Sequence, residues 1–121
     1  MQYMLLIYSP PDAWTSIPPE QQKAIYEAYG AFSMELEASG KMVAGDALQG
    51  LETATSVRVR DGETLTTDGP FAETKEVLGG YYLIDVETID EALEWAAKLP
   101  GSWYGTVEVR PVVTNYETMS A

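Results

Sequence analysis

Carboxylates, a lysine and one aromatic ring crowd into a single stretch, Asp68-Gly69-Pro70-Phe71-Ala72-Glu73-Thr74-Lys75-Glu76. Asp68 can bond its own backbone two residues on and so start a turn. Pro70 removes a backbone donor and biases Gly69 towards extended conformations. Phe71 beside that rigid turn is placed to anchor it to a core. A turn so held gives Asp68, Glu73 and Lys75 the firm base that positioned acid, base or ion-pairing groups need. The same residues also fit a packed loop whose charges are merely solvated. The turn feeds an apolar strand that opens with Gly79-Gly80, where missing Cβ atoms allow a bulge or close approach by a ligand.

Other residues extend this candidate pocket. Tyr8, Trp14, Phe71 and Tyr82 supply aromatic walls, and Asp46, Asp68, Glu73, Lys75 and Arg110 supply convergent charges. A few polar groups among aromatic walls is the composition of small-molecule sites. Trp14 fits first a lid packed on the core rim, and Asp46, which follows Gly45 at a strand end, serves equally as a turn cap. Arg58 and Arg60 share one face and offer either an anion site or a solvated face with weak surface pairs.

The chain contains no His and no Cys. That removes a His general base, a thiolate nucleophile and zinc sites of the usual N/S type. Proton transfer would fall to a carboxylate or a Tyr with a shifted pKa. No cofactor and no metal are expected, since no EF-hand spacing occurs either. Nineteen acids against seven bases give a net charge of −12, which repels phosphate backbones and anionic lipid and argues against nucleic-acid and membrane partners. The longest aliphatic run, Met4 to Ile7, is far short of the roughly 20 residues of a membrane span. With no signal-peptide pattern at the start, a cytoplasmic location is expected.

The elements that must position these groups follow from periodicity. Residues 2–8 predict a strand buried on both faces, because Met4, Leu5, Leu6 and Ile7 do not alternate. A loop over 9–18 precedes a helix starting near Pro18-Pro19, with Ser16 as a capping aid. Ile25, Ala28, Tyr29, Phe32 and Leu36 form its apolar stripe and Ser39-Gly40 ends it. Tyr26 and Tyr29 face either a cavity or the core. A second strand covers Met42-Val43-Ala44. Residues 56–67 form a hairpin whose Asp61-Gly62 suits a type I′ turn, pairing Arg60 with Glu63 and Arg58 with Leu65. The strand at 81–86 follows. The second helix starts at the capping box Thr88–Glu91 and should bury Ile89, Leu93, Ala96 and Leu99, leaving Trp95 off the stripe. A loop at 102–105 leads to a last strand over 106–113, where Pro111 suggests an edge. Residues 114–121 read as a frayed tail.

This order predicts an α+β, ferredoxin-like antiparallel sheet with two helices on one face and an inserted β-hairpin. Its uncovered face carries apolar residues and must meet something apolar, most simply a second copy in a homodimer.

The charged turn, followed by Leu78-Gly79-Gly80-Tyr81-Tyr82, resembles the hallmark of the DGPF branch of the YCII-related domain family. Tyr3 to Tyr8, Val57 to Gly62 and Val107 to Val112 extend the resemblance over residues 1–113, which it marks as one domain. The resemblance implies a dimeric α/β-barrel type of ferredoxin-like fold and no settled activity. Members of the wider family have a proposed His–Asp site, which this chain cannot reproduce. Fold relatives isomerise or dehalogenate lactones and oxidise small aromatics. Members of the branch are often associated with extracytoplasmic-function sigma factors. Two functions therefore stand side by side: a small-molecule binder or cofactor-free enzyme with its pocket beside the turn, and an interaction module or regulator associated with a sigma factor.

Overall fold

The computed structural model describes residues 1–70 and 74–115. Four strands, β1 (Gln2–Ser9), β2 (Met42–Ala47), β5 (Val77–Asp85) and β6 (Thr106–Pro111), form one sheet in the order β2-β5-β1-β6 with every neighbour antiparallel. A separate hairpin, β3 (Thr55–Arg60) and β4 (Glu63–Asp68), is inserted between β2 and β5. Asp61 and Gly62 both adopt positive φ, 54° and 77°, as a type I′ turn requires. Arg60 pairs with Glu63 and Arg58 with Leu65, the register expected from that turn.

The long helix α2 (Pro19–Ala38) begins with Pro19 in its first turn and ends where Gly40 takes a φ of 75°. Ser16 does not cap it. Its hydroxyl donates to the Asp12 carbonyl at 2.8 Å and helps close a four-residue helix, α1 (Ala13–Ser16), within the expected loop. Helix α3 (Ile89–Lys98) starts on the Thr88 hydroxyl, which accepts from the Glu91 N–H at 3.2 Å. The Glu91 side chain pairs with Lys41 instead of closing the box on the Thr88 backbone. A short helix, α4 (Gly101–Tyr104), replaces the expected loop before β6.

Tyr3, Leu5 and Ile84 of the sheet meet Phe32 and Leu36 of α2 and Ala92, Trp95, Ala96 and Leu99 around α3. The stripe of α3 thus differs from the expected one. Ile89 and Leu93 are 41% and 49% exposed, while Trp95 is buried. Both sets of residues have helical spacing, so periodicity alone could not choose. Tertiary contact decides: Ala92 and Ala96 let α3 lie close to the sheet, and the Trp95 ring meets Phe32 edge-on at 5.9 Å.

Alternation puts Met4, Leu6, Tyr8, Tyr81 and Leu83 on the opposite, helix-free face. Their pairings, Met4 with Leu83 and Leu6 with Tyr81, keep them together there. Pro111 lies on β6, an edge strand, where its missing N–H costs no ladder bond. The tail expected over 114–121 falls mostly outside the described residues.

Candidate functional site

A cavity of about 600 Å³ lies between α2 and the sheet. Its helix wall is Tyr26, Tyr29, Ser33 and Glu37. These recur every three to four residues, so they form one stripe of α2, next to the apolar stripe that enters the core. Its sheet wall is Ile7, Met42, Gly45 and Tyr82, with Gly79 and Gly80 contributing bare backbone. Trp14 and Tyr104 close the sides.

Each aromatic ring is held by a contact that can be named. Trp14 meets Tyr26 edge-on, with ring centres 5.2 Å apart. Tyr82 meets Phe32 edge-on at 5.1 Å, and its hydroxyl shares a 2.8 Å hydrogen bond with Ser33. A Cβ at position 45 would stand 2.8 Å from the Tyr82 ring, so the ring takes this place only because residue 45 is glycine. At position 80 a Cβ would meet the Asp46 carbonyl at 3.0 Å. The glycines thus make a flat floor against which a planar ring fits without side-chain obstruction.

Tyr29 is the buried phenol of the site. Burial, first, then the neighbouring hydroxyls of Tyr104 and Tyr82 push its pKa well above the ordinary value, with the Gly101 backbone acting weakly in the other direction. It is therefore a neutral hydroxyl that donates and accepts, not a base. The arrangement can sandwich a ring and hold its oxygen atoms by hydroxyl groups. Among the described residues no group of three or more carboxylates is placed to hold a metal ion.

The residues nominated from sequence divide. Trp14, Asp46 and Tyr82 come together on this cavity. The Asp46 carboxylate, however, accepts from the Tyr81 hydroxyl at 3.4 Å on the helix-free face, where pairing places both residues. Tyr8 lies on that face too, opposite Leu78 and Thr106. Arg110 is there as well, opposite Met4 near the far end of β1. Asp68 and Lys75 are exposed and line neither this cavity nor its neighbour. Phe71 and Glu73 fall outside the described residues.

Gly69 fixes the geometry of the described part of the turn. Gly69 has a φ of 97°, a left-handed conformation contrary to the extended one expected from the following proline. Its N–H donates to the Ala54 carbonyl at 2.6 Å, and its carbonyl accepts from the Ser56 hydroxyl at 2.7 Å. These bonds fasten the turn to the base of the hairpin. Gly69 and Pro70 line a second, more apolar cavity of about 570 Å³ with Pro10, Pro11, Leu48, Leu51 and Leu78, and Trp14 stands between the two cavities.

Sequence reasoning missed Ser33, Glu37 and Tyr104 and left Tyr26 and Tyr29 open. The signal was the second stripe of α2, which carries hydroxyls and a carboxylate where the first carries apolar groups.

Sheet order, helix placement and cavity define a ferredoxin-like α+β protein with a partly open, small-molecule-sized cavity. The model of the YCII-related domain matches residues 1–115, and the chain belongs to that family. It is 35% identical over 114 residues to an uncharacterised protein of Rhizobium meliloti (strain 1021), covering 93% of this chain and 92% of the relative. Its fold is similar to that of 5-chloro-2-hydroxyhydroquinone dehydrochlorinase from Burkholderia phenoliruptrix AC1100, solved in complex with 2,5-dihydroxybenzoquinone. That match has a TM-score of 0.58 and 15% identity, over 97% of this chain and 98% of the other.

Proposed function

We propose that this chain binds a small planar ring in the cavity between α2 and the sheet and acts on or carries it without a resident cofactor. The observation that carries this reading is the cavity itself: about 600 Å³, bounded by Trp14, Tyr26 and Tyr82, floored by glycine backbone and lined with the hydroxyls of Tyr29, Ser33 and Tyr104. That volume falls in the range of ligand sites, and aromatic walls with a few fixed polar groups are their usual composition. The dehydrochlorinase of similar fold holds a quinone, which supports oxygenated rings as first candidates.

A homodimer joined across the helix-free face belongs to the same proposal. Met4, Leu6, Tyr81 and Leu83 are only half-buried there, and a second sheet would cover them. The alternative, a regulator associated with a sigma factor, would draw on the net charge of −12 and a basic partner. The cavity ranks the ligand reading first, because an interaction module has no need of hydroxyls around a partly enclosed space.

The test is calorimetry with a panel of hydroquinones, catechols and benzoquinones. Saturable one-site binding is expected, abolished in Gly79→Leu. A Cβ at that position would meet only the Ile7 carbonyl oxygen, at 3.9 Å, so a larger residue fits at the cavity floor without displacing backbone. Binding unchanged in that variant would place the site elsewhere.

A further inference from the structure

We infer that the cavity takes uncharged hydroxylated rings and rejects their carboxylate-bearing counterparts. This rests on the ligand reading above and narrows its chemistry. Every described side chain lining the cavity is uncharged or carboxylic, and no Lys or Arg is among them. With the Asp46 carboxylate engaged on the other face of the sheet, Glu37 remains as the lining carboxylate on the cavity side.

A buried anion is stabilised by an opposite charge or by several fixed donors, and otherwise desolvation favours its neutral form. The hydroxyls here are already spoken for in part, since Ser33 and Tyr82 bond each other at 2.8 Å. The protein also contains its own gauge of the interior. The Tyr29 phenol is pushed upward by burial and by the Tyr104 and Tyr82 hydroxyls, so negative charge at that place is disfavoured. A ligand oxygen beside Tyr29 meets the same surroundings and stays protonated. The chain-wide charge of −12 acts in the same sense from further away. A cation meets the opposite conditions, with Glu37 at the lining and the faces of Trp14 and Tyr26 available to an ammonium group.

The experiment uses three ring-matched probes on the full chain at pH 7 and low salt: hydroquinone, 2,5-dihydroxybenzoate and 2,5-dihydroxybenzylammonium. Calorimetry should show the benzoate binding at least about tenfold more weakly than hydroquinone, the order that like-charge repulsion and desolvation produce together. The ammonium probe should bind at least as tightly as hydroquinone. Glu37→Gln should narrow the gap between the charged probes, and an unchanged gap would remove Glu37 as its source. Ala47→Lys, which sets a cation on the exposed edge of the cavity, should raise the affinity for benzoate relative to hydroquinone about tenfold. Benzoate binding as tightly as hydroquinone, or more tightly, overturns the charge preference while leaving the ligand reading intact. Binding of none of the three overturns both.

Discussion

The cavity under α2 and the charged turn at 68–70 lie close together and are built on opposite plans. The turn displays charge and is held by backbone: Gly69 is fixed by hydrogen bonds to Ala54 and Ser56, and Asp68 pairs with Thr55 in the hairpin. The cavity displays hydroxyls and rings and is held by packing: Tyr82 rests on Phe32, Phe32 on Trp95, and Trp14 on Tyr26. Charges on an exposed turn are screened by water and contribute little to stability or selection. Hydroxyls in a partly closed cavity act in a lower dielectric, so each is worth more to a ligand. If the proposed site is right, a conspicuous cluster of charge is a weaker pointer to it than an inconspicuous helical stripe bearing Tyr26, Tyr29 and Ser33.

This contrast can be broken or sharpened by substitution. The largest effect is expected at Phe32, which joins the cavity wall to the core. Phe32→Ala should cost about 3–5 kcal/mol in denaturant unfolding, and a cost under 1 kcal/mol would show that the rings pack independently. Next comes Gly69→Ala. A Cβ at φ 97° is strained, and about 1–2 kcal/mol should be lost although nothing lies within 4 Å of the added atom. Unchanged stability would mean that the turn does not need its left-handed glycine.

Tyr82→Phe removes the bond to Ser33 and should cost about 1 kcal/mol while leaving the Phe32 contact in place. No loss would mean that water satisfies Ser33 equally well. The pH dependence of Tyr29 has a definite sign. Its folded pKa is raised above the unfolded value of about 10, so the associated stability is complete below pH 10 and is lost as pH rises through and beyond that value. Tyr29→Phe should therefore flatten the alkaline slope of the unfolding free energy above pH 10, and an unaltered slope would contradict the burial of this phenol. The smallest effect belongs to the charged turn. Asp68→Asn with Lys75→Met should shift stability by no more than about 0.5 kcal/mol and change hydroquinone affinity less than twofold. A marked loss of affinity would bring the turn back into the site.

Much of the fold was legible in the sequence. The type I′ signal at Asp61-Gly62 set the hairpin register residue by residue, since a two-residue turn leaves no freedom of pairing. The stripe Ile25, Phe32 and Leu36 named the buried face of α2, and Thr88 marked the first turn of α3. These are local rules, satisfied within a few residues of chain. The family was legible too, through the turn and the strand behind it. The core face of α3 was not, because Ile89-Leu93 and Ala92-Trp95-Ala96 have the same period and only the approach of the sheet selects between them.

The candidate site was decided almost wholly by tertiary structure. Trp14, Asp46 and Tyr82 could be nominated from their types, but strand pairing sent the Asp46 carboxylate, Tyr8 and Arg110 to the other face. Period-two alternation makes a side chain's face depend on register, and bulges between Ile7 and Tyr8 and between Met42 and Ala44 alter it locally. Tyr29 and Tyr104 are 75 residues apart in a chain of 121 and become neighbours only when α4 is folded against α2 and β1. Composition determined that no imidazole or thiol could do the chemistry. Only the three-dimensional arrangement turned the remaining hydroxyls and rings into one cavity, because convergence of distant residues is a property of packing and not of spacing.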